Sequence, residues 1–282
     1  MAPVAFLAAF FSSSRHTHFA SASSGVPSLM SEAMLHHEPQ ITPQAPFTVR
    51  LANCDADRRA AQRLRYEVFA LEMGARLASA DRGLDVDRWD DFCDHLLVCE
   101  RGSGQVVGTY RMLPPARAAA AGGWYCAGEF DVRRLLPQRH RIVEVGRACV
   151  DPAYRTGLVI ALLWGGLMRY LHERGGGFAI GCASLGTQDG GHIAASICRR
   201  MLRDHLAPAD WHVTPRQAFV LEGWADVAEP TLPPLLKGYL RLGADVCGAP
   251  AWDPDFRTAD LLIRLDVARA NPRYVDRLLR AA

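Results

Sequence analysis

The segment from Ile142 to Ala183 most narrows what this chain can fold into, because it reads strand, long helix, strand. Ile142 to Val150 has the β-branched make-up of a buried strand. An apolar helix follows from about Gly157 to His172, and Gly175-Gly176-Gly177 closes it before a second strand, Phe178 to Ala183. Two strands joined through such a helix lie parallel with a right-handed crossover, so the segment predicts an α/β sheet. The first strand is not uniformly apolar: Glu144 and Arg147 stand among Val143, Val145, Cys149 and Val150, and Gly146 splits the run. A glycine inside a strand marks a bulge or a close approach of a ligand or another backbone. The charges have a plain reading, an ion pair at a sheet edge, and a chemical one, groups held for a reaction.

The 282 residues, 49% hydrophobic, suffice for one sizeable core. A formal charge of +2 is too mild to predict nucleic-acid binding, and none is expected. Lys237 is the sole lysine, so the basic sites favour planar, bidentate contacts with carboxylates and phosphates. The eight cysteines form no CxxC pair and read as free thiols of a reducing compartment, which predicts a cytoplasmic protein. Cys93 and His95 flank Asp94 without a second ligand pair at zinc spacing, so no metal site is expected. No run of about eighteen apolar residues offers a membrane span.

Residues 1–46, dominated by Ser, Ala, His and Pro, are expected to be a disordered leader, or to precede a true start at Met30 or Met34. The short apolar run Val4 to Phe11 has no positive residue before it, which argues against a secretory signal. One domain is expected over 47–282, with a C-terminal extension from about residue 184. It should open with a strand, Phe47 to Leu51, and a helix capped by Asp55 that carries Arg65 and Phe69. Arg76 to Trp89, rich in Arg and Asp, reads as a surface loop folding over something. His95 to Cys99 and Val106 to Met112 form a hairpin around Arg101-Gly-Ser-Gly104, and Phe130 to Leu136 a short helix. Beyond Ala183 come helices Gly191 to His205 and Leu235 to Leu242, and strands Asp245 to Cys247 and Asp260 to Asp266.

Four charged clusters therefore stand in a definite order. Arg65-Tyr-Glu-Val-Phe69, Asp87-Arg-Trp-Asp90, Gly108-Thr-Tyr-Arg111 and Glu144-Val-Gly-Arg147 resemble, position by position, the motif of the acyl-homoserine-lactone (autoinducer) synthases. Over about 47–279 the chain resembles more the L-ornithine N-alpha-acyltransferases of ornithine-lipid synthesis, also called hemolysin-like. Asp90-Asp-Phe-Cys-Asp-His-Leu-Leu97, Leu235-Leu-Lys-Gly-Tyr-Leu-Arg-Leu-Gly243 and Asp255-Phe-Arg-Thr-Ala-Asp260 carry that likeness. The resemblance implies the fold of the GCN5-related N-acyltransferases (GNAT), an α/β (α+β type) domain in which a mixed central β-sheet is flanked by helices. Its splayed central strands form a cleft for a thioester. It also implies a reaction, passage of a 3-hydroxyacyl group from acyl carrier protein to the α-amine of L-ornithine to give lyso-ornithine lipid.

The chain departs from relatives that use acetyl-CoA at the start of the crossover helix. Arg155-Thr-Gly157-Leu-Val-Ile160 sets its glycine one place early and puts Val159 where a second small residue would let backbone N–H groups cradle a diphosphate. That departure fits a donor whose acyl-phosphopantetheine arm is supplied by acyl carrier protein, with no bound cofactor. Arg133, Arg134, Arg139, Arg141 and Arg155 are candidates for docking this acidic partner, as are Arg199, Arg200 and Arg203.

Chemistry assigns the remaining roles. Amide formation needs a neutral amine, so Glu144, a carboxylate in an apolar strand, is the candidate base. The oxyanion donor would be a backbone N–H at Gly146 or Arg147, or else Arg147 holds Glu144 or the loop acids in place. Asp87 and Asp90 could bind the cationic end of the acceptor and Arg65 or Arg111 its carboxylate, with Phe69 beside them. Alternatively these charges form a salt-bridge network that orders the loop. Acylation of glycine or another amino acid, or of S-adenosylmethionine as in autoinducer synthesis, stays open, as do a membrane-active lytic protein and a non-catalytic binder of acyl carrier protein. An amphipathic product predicts peripheral contact with the inner face of the membrane.

Overall fold

Burial sorts the strand residues onto two faces of one twisted sheet, and that sorting positions everything else. The computed structural model describes residues 45–282, so the expected leader lies, up to residue 44, outside the described residues. The strands are β1 (Phe47–Leu51), β2 (Asp94–Glu100), β3 (Val106–Leu113), β4 (Phe130–Asp131), β5 (Ile142–Val150), β6 (Phe178–Gly186), β7 (Thr214–Pro215), β8 (Asp245–Val246), β9 (Ala251–Asp253) and β10 (Thr258–Asp266). The helices are α1 (Asp55–Tyr66), α2 (Pro115–Ala120), α3 (Leu158–Glu173), α4 (His192–Asp204), α5 (Pro234–Leu242) and α6 (Pro272–Ala281). The main sheet runs β1-β2-β3-β5-β6-β10-β8, with β9 on the edge of β10, and β4 pairs β7 apart from it.

All neighbours are antiparallel except β5 and β6, the parallel pair joined through α3 as the crossover pattern predicts. Alternation then sets the faces. Val143 and Val145 on β5, with Ala179 and Ala183 on β6, face a core closed by α3, α4, α5 and α6. Mid-helix glycines in α3 permit that packing, since a Cβ at Gly165 would lie 2.4 Å from the Leu278 carbonyl of α6. The opposite face carries Ile142, Glu144, Ile180 and Leu262 and is covered by residues from the 89–135 region and by Trp211 and Val213. Nearer β1, Ala61 of α1 packs on Leu97 and Cys99 of the same face.

β5 and β6 are paired only through Ile142↔Phe178, Val143↔Ala179 and Glu144↔Ile180. Beyond Glu144 the two strands run on to Val150 and Gly186 without pairing, which is the splay that the resemblance implies. β5 is also bulged against β3: Thr109 faces Cys149 and Arg111 faces Gly146, so Arg147 and Ala148 together oppose Tyr110. The left-handed backbone sits at Arg147 (φ 52°), one residue after the glycine where the sequence places the irregularity.

Several local expectations shift. Asp55 is the first residue of α1, and its N-cap is Cys54, without a side-chain cap. The short helix expected over Phe130 to Leu136 starts later and is 3₁₀: Phe130 and Asp131 pair with β7, and the 3₁₀ helix runs from Arg133 to Arg141. Pro137 lies inside that stretch, and its missing N–H is incompatible with a regular α-helix. The region after residue 184 supplies β10, which pairs with β6 along its whole length.

Candidate active site

Arg65, Asp87, Asp90 and Arg111, scattered over about fifty residues of sequence, meet on the Glu144 face, and Asp85 joins them. Arg65 is fully buried on α1; its Nη1 and Nη2 each donate to Asp90 at 2.9 Å, and its Nε lies 2.9 Å from Asp85. Arg111 on β3 reaches Asp87 at 2.7 Å and Asp90 at 3.2 Å. Arg147, turned by its left-handed backbone, lies 3.1 Å from Asp85 and 3.6 Å from Asp87. Gln62 and the Asp87 N–H also donate to Asp90. Burial alone would raise the Asp90 carboxyl, but Arg65 and Arg111 outweigh it and hold it well below the usual carboxylate range. The arrangement is that of a compensated network ordering the 85–90 loop, in which Asp90 is committed to its arginines. Phe69 is buried next to it and meets the Phe256 ring edge-on at 5.7 Å.

Glu144 is the last residue of β5 paired with β6, at the point where the splay begins. The Tyr125 N–H donates to its Oε2 at 2.6 Å and the Cys126 N–H to its Oε1 at 2.7 Å. Burial raises this carboxyl, opposed by those two N–H groups and by Arg111. Glu144 thus clamps the 3₁₀ turn Tyr125–Gly128, whose Tyr125 ring lies 5.0 Å from the Arg147 guanidinium. Two residues further along β5, a Cβ added at Gly146 would meet no atom within 4 Å, so the strand faces open space there.

Sequence reasoning missed a second acidic cluster. Glu129, directly after the clamped turn, Cys182 on β6 and Asp260 on β10 bring their carboxylate and thiol atoms within 4.8 Å of one another. The signal for Glu129 was absent, since it lies in an irregular stretch between turns. Asp260 stands in one of the motifs quoted above, but only the β6–β10 register shows where it points. Asp85 lay in the loop already marked by its charge.

A model of the acetyltransferase (GNAT) domain matches residues 64–165, a span holding the charged network, β5 and the start of α3. The L-ornithine N(alpha)-acyltransferase of Brucella abortus (strain 2308) is 38% identical over 250 residues, covering 80% of this chain and 86% of that protein. The chain belongs to the L-ornithine N(alpha)-acyltransferase family. The enzyme of that name from Rhizobium meliloti (strain 1021) is likewise 38% identical, over 254 residues, covering 82% of this chain and 84% of the relative. A solved CoA-dependent acyl-homoserine lactone synthase overlays with a TM-score of 0.45 at 16% identity, covering 82% of this chain and 87% of that one.

In this family member the basic residues named for carrier docking fall in different places. Arg133 is exposed and bonded to Asp131 at 2.5 Å, while Arg134 donates to the Ala209 carbonyl at 3.2 Å. Arg139, with His140, Leu136 and Trp124, lines an open groove of about 400 Å³. The Arg141 guanidinium sits 5.0 Å over the Phe178 ring. Arg155 is forked onto Glu72, at 2.6 Å for each contact, and Val159 is buried against β3. Arg199 bonds Asp226, and Arg200 and Arg203 pair with Asp204. Among the described residues, no helix is long and apolar enough to cross a membrane.

Proposed function

We propose that the chain transfers a 3-hydroxyacyl group from acyl carrier protein to the α-amine of L-ornithine, giving lyso-ornithine lipid. Family membership supports the acceptor. The observation that carries the reaction is the placing of Glu144 where β5 and β6 part, below the open space at Gly146. The amine nitrogen attacks the thioester carbonyl; the C–N bond forms, the C–S bond breaks, and the pantetheine sulfur leaves with a proton. Glu144, its carboxyl raised by burial, first takes a proton from the α-ammonium, directly or through one water, which frees the neutral amine for attack. A backbone N–H at the bulge, on Gly146 or Arg147, stabilises the oxyanion.

Arg155 and Val159 support a carrier protein as the donor. With Arg155 held by Glu72 and Val159 packed inward, the start of α3 is poorly arranged to cradle a free coenzyme's diphosphate. Arg133, Arg134, Arg139 and Arg141 lie along the 3₁₀ stretch bordering the groove beside Trp124, where an acidic partner would meet positive charge. An acceptor and donor of this kind place the enzyme in the cytoplasm, with its amphipathic product drawing it to the inner face of the membrane. The test is incubation with 3-hydroxyacyl carrier protein or 3-hydroxyacyl-CoA and a panel of amino acids, read by mass spectrometry. Acyl-ornithine formed preferentially from the carrier protein is expected; no product with any amino acid would sink the reading.

A further inference from the structure

Most buried charge in this site is neutralised, and one group is not. Glu129 and Asp260 face each other with Cys182 between them, the thiol 3.5 Å from Glu129 Oε2. No salt bridge among the described residues involves either carboxylate, nor the neighbouring Asp253. Asp260 is only 3% exposed; the Thr258 and Ser184 hydroxyls and Glu129 act on its carboxyl, yet its Oδ1 makes no well-formed hydrogen bond. An unpartnered buried carboxylate oxygen is costly, so a cluster of this kind calls for a cation.

Strand register locates it relative to the chemistry. Glu144 pairs Ile180, so Gly146 and Cys182, each two residues on, stand at the same level across the splay. Asp260 pairs Ser184 on the next strand outward, and adjacent strands are about 4.8 Å apart. The cluster is therefore on the far side of the cleft from the β5 bulge. Tyr125 stands between the two ends, hydrogen-bonded at 3.4 Å to Arg147 and within the electrostatic reach of Glu129 and Cys182. One end of the space carries an arginine and the other an uncompensated carboxylate pair.

We propose that Glu129 and Asp260 form the subsite for the side-chain ammonium of a diamino acid, and so set the preference for an acceptor with two amines. The inference rests on the acyl-transfer reading for the orientation of the α-amine. Five single bonds separate the two nitrogens of ornithine, about 6 Å when extended, which matches a span from the bulge across β6. Two carboxyls this close, with Asp253 nearby, share a proton when empty; the pair then bears one negative charge, equal and opposite to one ammonium. A metal fits the same atoms less well. It would need the Cys182 thiol ionised beside two carboxylates, and burial and Glu129 push that thiol far up.

The test is calorimetric titration of the full chain with L-ornithine, with L-2-aminopentanoate, which lacks only the second amine, and with Zn²⁺. The same titrations are run on Glu129→Gln and Asp260→Asn, with acyl transfer to both amino acids measured in parallel. The wild type is expected to bind ornithine at least about 10-fold more tightly than 2-aminopentanoate, as buried charge recognition requires. Either variant should erase that difference while keeping 2-aminopentanoate binding and the circular-dichroism melt of a folded protein. Equal wild-type affinities, no measurable ornithine binding, or a tight Zn²⁺ site lost in both variants would each overturn the inference. If ornithine binds through the pair but is never acylated, the reaction is wrong and the subsite stands. If both amino acids are acylated equally well, the reaction stands and the subsite falls.

Discussion

Two carboxylate-rich regions flank the same cleft and differ in their partners. Around Asp85, Asp87 and Asp90, three arginines from α1, β3 and β5 supply ion pairs, with Arg65 bidentate to Asp90, and the Asp90 carboxyl is held low. Around Glu129 and Asp260 no ion pair forms among the described residues; burial and then Asp260 push the Glu129 carboxyl up, and burial with Asp253 raises Asp260 against the hydrogen bond from Glu129. The first region is ion-paired throughout, which fits bracing or positioning; the second carries no ion pair and can receive a charge. Burial of acidic residues is therefore no guide to function until the compensating groups are counted.

The sharpest way to break the comparison is Arg65→Leu, which strands Asp85 and Asp90 without their buried partner. It should cost about 3–5 kcal/mol in urea unfolding, as removal of one member of a buried pair does. A loss under about 1 kcal/mol would mean that the network is not the brace its geometry describes. Next in size, Glu144→Gln should lower turnover about a hundredfold. Because an amide can accept at only one of its two terminal atoms, the variant also leaves the Tyr125 or Cys126 N–H unpaired. A lower melting temperature with normal turnover would make Glu144 purely the clamp of that turn.

The two regions should also respond oppositely to pH. Glu129 is raised from 4.5 in the folded chain, so the stability its proton contributes is full below that value and is lost as pH climbs through the raised one. Glu129→Gln should flatten the fall in stability that runs from about pH 4.5 to about 9, by at most about 1.4 kcal/mol per pH unit. Asp90 is lowered, so its contribution is present above 3.8 and is lost only in strong acid. Thermal melts from pH 4 to 9, an interval of roughly the carboxylate-to-thiol range, that superimpose for wild type and Glu129→Gln would remove the distinction. The smallest effect is expected outside both regions. Arg133→Glu with Arg134→Glu should raise the KM for carrier protein a few-fold, most at low salt, and leave the KM for ornithine alone. An unchanged KM would move the docking face elsewhere.

Much of this architecture was legible in the sequence because it rests on short-range periodicity. The β5–α3–β6 unit, the β2–β3 hairpin and the helices α4 and α5 follow from apolar spacing that each segment carries by itself. The short elements β4, β7 and β9 did not, since two or three residues hold no period and are strands only because a partner lies alongside. Of the site, Arg65, Asp87, Asp90, Arg111, Glu144 and Arg147 were identifiable as an ordered set of charges, and the fold brings them to one face of the sheet.

What the sequence alone determined, then, is the longer strands and helices and which charges interrupt them. Tertiary structure decided which of those charges are compensated. The Asp85–Asp90 acids meet arginines from elements up to sixty-two residues away, whereas Glu129 and Asp260 meet each other, Asp253, a thiol and hydroxyls but form no ion pair. That outcome depends on the register of β6 against β5 and β10, set by the packing of whole faces; no local spacing encodes it.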